Sequence, residues 1–264
     1  MGRIGERSFL GRCLGLALAV VVEISLCAWA EAEPLHSGQA GSAVKAEGWG
    51  GEAARDFERV YTGLFHNKDA HAADPDKVQF ASKYHVPVAV PWLCPPGGDV
   101  ACFYVHEKTK MGGRMVYRLR IAAVHVSKER AAAGGDVFTA DHYQFADQKA
   151  MEAMPEHECI KLATTVNSTQ ISRVLGGTVD FKRVPGTSTY EVQTNYEACE
   201  GSKGVGDASA PPITTHISGT LAYSGWNVEA VGRRSVDQTE VFRTKVHLSR
   251  ADLSEGQAEA PLVQ

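Results

Sequence analysis

The chain has 264 residues, of which 44 % are apolar and 22 % charged, with a formal net charge of -4 at neutral pH. That composition belongs to an ordinary globular protein with one core, and its mild acidity gives no reason to expect a nucleic-acid partner.

At the start, Arg3, Arg7 and Arg12 are followed by an uncharged run from Cys13 to Val22, and Ala28-Trp29-Ala30 forms a small-x-small pattern. This predicts a secretory signal peptide over 1–30, cleaved after Ala30 or Ala32. Glu23 interrupts the apolar run short of the ~20 residues a membrane span needs, so no span is expected after cleavage. The destination is the secretory route, either outside the cell or in the lumen of an organelle reached through it. Cleavage leaves Cys94, Cys102, Cys159 and Cys199 where disulfides persist. The expected pairs are Cys94 with Cys102, because Pro95-Pro96-Gly97-Gly98 turns the chain between them, and Cys159 with Cys199. Zinc is not expected, since there is no Cys-x-x-Cys pair and no partnering His pair.

Residues 31–52 are rich in Ala and Gly without apolar periodicity and read as a flexible leader. From Ala53 to Leu64 the apolar residues Phe57, Val60, Tyr61 and Leu64 fall at helical spacing, which predicts a short amphipathic helix. β-type runs then follow over Val78–Trp92, Ala101–Glu107, Arg114–Ser127, Val137–Phe145, Cys159–Val166, Thr178–Val184, Ser188–Tyr196, Ile213–Tyr223 and Thr239–Leu248. Gly and Pro clusters separate many of them. A second helix is expected over Asp147–Met154, a long surface loop over Glu200–Pro212, and a loose tail over 254–264. Many short strands in one domain, 53–253, mean an antiparallel sandwich or barrel.

The run Arg114 to Val126 is the most informative. In an extended strand Arg114, Arg118 and Arg120 share one face, while Tyr117, Leu119 and Ile121 share the other. A cationic stripe of this kind is a site for an anionic, partly apolar ligand if it faces a barrel interior. It is an ordinary solvated face if it points to water, and Arg is mostly exposed. Tyr104-Val105-His106-Glu107 precedes this run by a turn and is expected to pair with it as a hairpin, so a carboxylate or imidazole could share a face with the guanidinium groups. The plainer expectation is a cross-strand surface ion pair worth about 0–1 kcal/mol. No Gly-x-Ser-x-Gly, His-Glu-x-x-His or phosphate loop occurs, and His66, His71 and His85 read as surface residues rather than metal ligands. Asn167-Ser168-Thr169 is a glycosylation sequon.

The order of motifs from about Phe57 to Leu253 resembles the CpcT/CpeT family of phycobiliprotein chromophore lyases. The resemblance is carried by Gly63-Leu64-Phe65-His66-Asn67, Phe103-Tyr104-Val105-His106-Glu107, Val116-Tyr117-Arg118-Leu119, Cys159 with Gly176-Gly177-Thr178, and Val231-Gly232-Arg233-Arg234. It implies a mainly β protein, a calyx-like antiparallel barrel with a short N-terminal helix. It also implies binding of a bilin, a linear tetrapyrrole with two propionates, by Tyr104, Tyr117, Arg118, Arg120 and Arg233. The implied activity is attachment of that chromophore to a protein cysteine, or its delivery. The Asp that the family carries before Arg is absent here, which leaves Tyr117, His106 and Glu107 as the candidate proton donors. The implied partners are a phycobiliprotein subunit or another secreted protein, a small apolar anion, or a second copy of the chain. The alternative is a non-catalytic secreted ligand-binding or protein-interaction module on the same barrel.

Overall fold

The computed structural model describes residues 49, 51–111, 114–127, 136–174, 177–195, 213–234 and 237–251. The signal peptide, most of the leader, Cys199 with the Glu200–Pro212 loop, and the 254–264 tail lie outside the described residues.

The described strands are β1 (Gly63–His66), β2 (Ala81–Val88), β3 (Val100–Met111), β4 (Arg114–Val126), β5 (Val137–Phe145), β6 (Ile171–Arg173), β7 (Val179–Arg183), β8 (Tyr190–Thr194), β9 (Ile213–Ala222), β10 (Gly225–Arg234) and β11 (Glu240–Arg250). Their order is β4-β3-β2-β1-β11-β10-β9-β8-β7-β5, and β4 pairs in turn with β5. Ten antiparallel strands therefore close into a barrel, and β6 pairs with the β7-side edge of β5, beyond the end of β7. Closure removes the unpaired edges that an open sheet would expose.

Alternation along each strand divides the protein into two cores. Phe65, Phe103, Val105, Ala122, Val124, Phe138, Phe181, Trp226 and Leu248 point inward and are buried together. One end of the interior is filled by helix α1 (Glu52–Tyr61), whose Ala54, Phe57, Val60 and Tyr61 lie on a single stripe. Phe57 stacks on Phe138 at 4.5 Å and meets Phe181 and Tyr190 edge-on. Rings buried this fully contribute about 1.5–3 kcal/mol each, so the aromatic stripe is what holds the helix in the barrel end. Trp49, within the stretch expected to be a flexible leader, packs against the same cluster and donates to Glu58 at 3.0 Å.

Polar contacts fix this plug in place. Asp56 accepts from Arg59, Ser188 and Tyr190 and pairs with Arg183 at 3.2 Å, which ties α1 to β7 and β8. The Arg250 guanidinium of β11 donates to the Arg59, Val60 and Thr62 carbonyls at the C-terminal end of α1, and to the Tyr223 carbonyl. The first three are carbonyls that a helix end leaves without internal partners. Gly63 follows at φ +130°, a conformation open to glycine, and a Cβ there would collide with the same guanidinium.

The outward residues Cys102, Tyr104, Leu119, Ile121 and Ala123 form the second core, covered by α3 (Gln148–Glu152) and α4 (Glu156–Thr165) through Met151, Cys159 and Ala163. The expectation of a strand over Cys159–Val166 is corrected: this is helix α4. Pro155 at its start and Glu156 and Glu158 in its first turn suit a helix N-terminus, and Cys159 and Ala163 share its buried face. Further elements beyond the expected set are β1, β6, β10 and a short helix α2 (Lys68–Ala73).

Cys94 and Cys102 form a disulfide, as expected and as suits an oxidising compartment. Cys199, the expected partner of Cys159, lies outside the described residues; among those described the buried Cys159 thiol is free and donates to the Met151 carbonyl at 3.3 Å. Among the described residues no helix is long and apolar enough to cross a membrane.

Candidate functional site in the barrel lumen

Glu107 stands opposite Arg118 in the β3–β4 ladder and opposite Lys83 in the β2–β3 ladder. Residues directly opposite in antiparallel strands share a face, and Val105 and Ala122 fix that face as the interior. Lys83, Glu107, Arg118 and Arg120 consequently all point into the lumen. Lys83 Nζ lies 2.5 Å from one Glu107 oxygen, and Arg118 lies 3.7 Å from the other. Their side chains keep 28 %, 16 % and 22 % of their surface accessible.

Burial would raise the Glu107 carboxyl, but Lys83, Arg118 and Arg120 outweigh it and hold the group well below the ordinary carboxylate range. Arg120 is pulled the other way by burial, which Glu107 only partly offsets. Its guanidinium makes no hydrogen bond or ion pair with a described residue. Among the described residues, three cations and one carboxylate thus share the lumen, and the deepest of the β4 arginines shares that carboxylate only at a distance, without an ion pair of its own.

Two inward histidines add polarity without charge. His85 contacts the Tyr61 carbonyl at 3.1 Å, and burial, aided by Lys83, pushes its pKa down to about 3. His142, opposite Ala122, contacts the Gly177 carbonyl at 2.7 Å, and burial, aided by Arg120, lowers it to about 4. Across the lumen the wall is apolar. Ile217, Val228, Ala230 and Val246 alternate inward with Leu221, Trp226 and Leu248 and stay partly accessible, while Phe242 lies across Gly232. A cationic wall facing an apolar one suits a ligand that is anionic on one side and apolar on the other.

The residues expected from sequence divide between the two faces. Arg118, Arg120 and Glu107 line the lumen together. Tyr104, His106 and Tyr117 lie on the opposite, outer face: His106 contacts Glu156 of α4 at 3.2 Å, and its ring is 6.0 Å from that of Tyr117. Tyr104 is buried beside Cys159. Arg233 is also turned outward, since it pairs with Thr214 one step out of phase with the inward Gly232. Tyr104, Tyr117 and Arg233 are therefore not brought to the lumen, because the strands carrying them have no bulge that would change their face; the irregularity in β10 follows Gly232 and leaves the β9 register intact. Asn167 is exposed, and its side chain accepts from the backbone N–H and hydroxyl of Thr169.

Sequence reasoning missed Lys83 and His142, and the expectation that His85 is a surface residue is corrected: it is buried inside the barrel against Tyr61 and Trp226. Lys83 and His85 alternate with Tyr84 on a strand, but only the register with Glu107 shows that the pair faces inward. Among the described residues no group of three or more His, Cys, Asp or Glu could hold a metal ion.

No protein-family model and no curated protein matches the chain. Among solved structures it is similar to the selenomethionine form of the CRL protein of Arabidopsis, at 14 % identity and a TM-score of 0.48, over 75 % of this chain and 96 % of that one. The architecture of the present chain rests on its own strand pairing.

Proposed function

We propose that the barrel is a carrier for a small amphipathic anion, a bilin or a related tetrapyrrole, held in the lumen. The observation that carries this reading is Arg120, a walled-in guanidinium with no partner among the described residues, beside Arg118 and Lys83, which share a single carboxylate. Charge-assisted pairs with propionates would supply the missing counter-charge, each worth about 1.5–3 kcal/mol when shielded from water. The apolar wall of β9 to β11 offers contact for the conjugated body, and the motif order that resembles the bilin-lyase family supplies the ligand class.

Lyase chemistry is the second reading. Adding a thiol across a bilin double bond forms one C–S bond and delivers one proton to the conjugated system, so it needs a proton donor beside the ligand. His106 and Tyr117 face away from the lumen, and Glu107 is held ionised by its cations. That placement favours carriage over catalysis. Biliverdin added to the purified mature protein is expected to give a saturable absorbance change, and its absence overturns the carrier reading. Covalent bilin on a phycobiliprotein apo-subunit after incubation and denaturation would overturn carriage alone in favour of the lyase.

A further inference from the structure

The β4–β5 ladder begins at Arg120, paired with Gln144, and runs toward Val126. On the other side of Arg120, β5 ends at Phe145 and the chain turns away into α3. The Gln148 side chain takes the next place in the ladder, accepting from the Leu119 N–H at 3.1 Å and donating to the Leu119 carbonyl at 2.7 Å. Among the described residues, β4 pairs with β3 alone from Arg118 back to Arg114, over Glu107 to Met111. Among the described residues the β3–β4 ribbon therefore overhangs the barrel wall, with a gap in the strand ladder beyond the end of β5, next to Arg120.

The inward face of this overhang carries three arginines, interrupted by Val116. Arg114 is exposed at the outer end, Arg118 follows at the lip and Arg120 lies inside, a path of roughly 20 Å at strand spacing. Charged residues on an unpaired edge also discourage pairing with other chains, but that role asks only for charge anywhere on the edge. Here Arg114 falls on the face and in the line that lead to the Arg120 guanidinium.

We propose that an anionic ligand enters the lumen through this gap beside the β3–β4 overhang, with Arg114 as its first cationic contact and steering residue. The proposal rests on the carrier reading above. An exposed steering charge raises the association rate and loses its effect as salt rises, whereas a residue that holds the bound ligand changes the dissociation rate.

The test is stopped-flow binding of two probes, biliverdin and 8-anilinonaphthalene-1-sulfonate, to the wild-type protein and to Arg114→Glu and Lys245→Glu. Lys245 is exposed on the outer wall across the barrel and makes the same charge change away from the gap. Arg114→Glu is expected to slow association about three- to tenfold at low salt, with dissociation unchanged and the difference shrinking at high salt. Lys245→Glu is expected to slow it far less. Equal slowing by both variants, or a change confined to dissociation, overturns the proposed route. Binding of the sulfonate but not of biliverdin overturns the tetrapyrrole reading and still reports on the route. Binding of neither overturns the lumen reading and the route together.

Discussion

Glu107 and Arg118 face each other across the β3–β4 ladder inside the barrel, with a carboxylate oxygen 3.7 Å from the guanidinium. On the other side of the same carboxylate is Lys83, so one anion restrains two cations. Glu107→Gln leaves Lys83, Arg118 and Arg120 together in a partly shielded space. Breaking a buried ion pair costs about 3–5 kcal/mol, and water in the lumen reduces that, so a loss of about 2 kcal/mol is expected in urea denaturation. The same variant is expected to bind anions more tightly; unchanged stability together with weakened binding would contradict the charge balance described here.

The cationic stripe was legible in the sequence because strand alternation alone separates Arg118 and Arg120 from Tyr117. The β3–β4 hairpin was legible from two extended runs joined by a short glycine-containing turn. Which face looked inward was not, since that depends on Phe103, Val105 and Ala122 packing against Trp49 and a helix far away in the chain. The run Cys159–Val166 misled because Ile, Val and Thr favour strands locally, whereas burial of Cys159 and Ala163 on one face decided for a helix. Gly225–Arg234 escaped notice because its charged and polar outer residues and terminal glycine hide the inward set Trp226, Val228 and Ala230.

His85 predicts an acid-side loss of stability. Its pKa is about 3 in the fold against an ordinary value of 6.5, so the unfolded chain binds the proton first as pH falls. Stability therefore declines from about pH 6.5 downward, by about 2 kcal/mol at pH 5 from this residue alone. His85→Phe is expected to flatten the pH dependence of the urea midpoint between pH 7 and 5. A variant with the wild-type slope would show that His85 does not account for it.

Arg250 is expected to matter for the plug and not for the lumen. Arg250→Ala strips donors from the α1 carbonyls and the stack on Tyr223, where the guanidinium lies 4.4 Å from the ring centre. A loss of about 2–3 kcal/mol is expected, in the range for hydrogen bonds to a charged group. Hydrogen exchange is expected to rise first in Glu52–Tyr61; exchange that rises only in β3 and β4 would refute the capping role.

The Cys94–Cys102 bridge closes a loop over a separation of eight residues. Loop entropy on that scale stabilises the fold by about 2.5 kcal/mol, so reduction is expected to lower the urea midpoint accordingly. Cys159 is buried, and burial raises its thiol pKa, so it is expected to resist alkylation in the native protein and to react once unfolded. Rapid native labelling of Cys159 would contradict its placement under α4.

The most direct measurement of the central claim is an absorbance titration of biliverdin into the wild-type protein, Arg120→Gln and Lys245→Gln, each checked for an intact fold by circular dichroism. A luminal anion site centred on Arg120 predicts saturable binding by the wild type and by Lys245→Gln, with affinity about tenfold or more weaker in Arg120→Gln, as the loss of one shielded charge-assisted pair requires. Equal affinity in all three proteins, or no binding in the wild type, would contradict it.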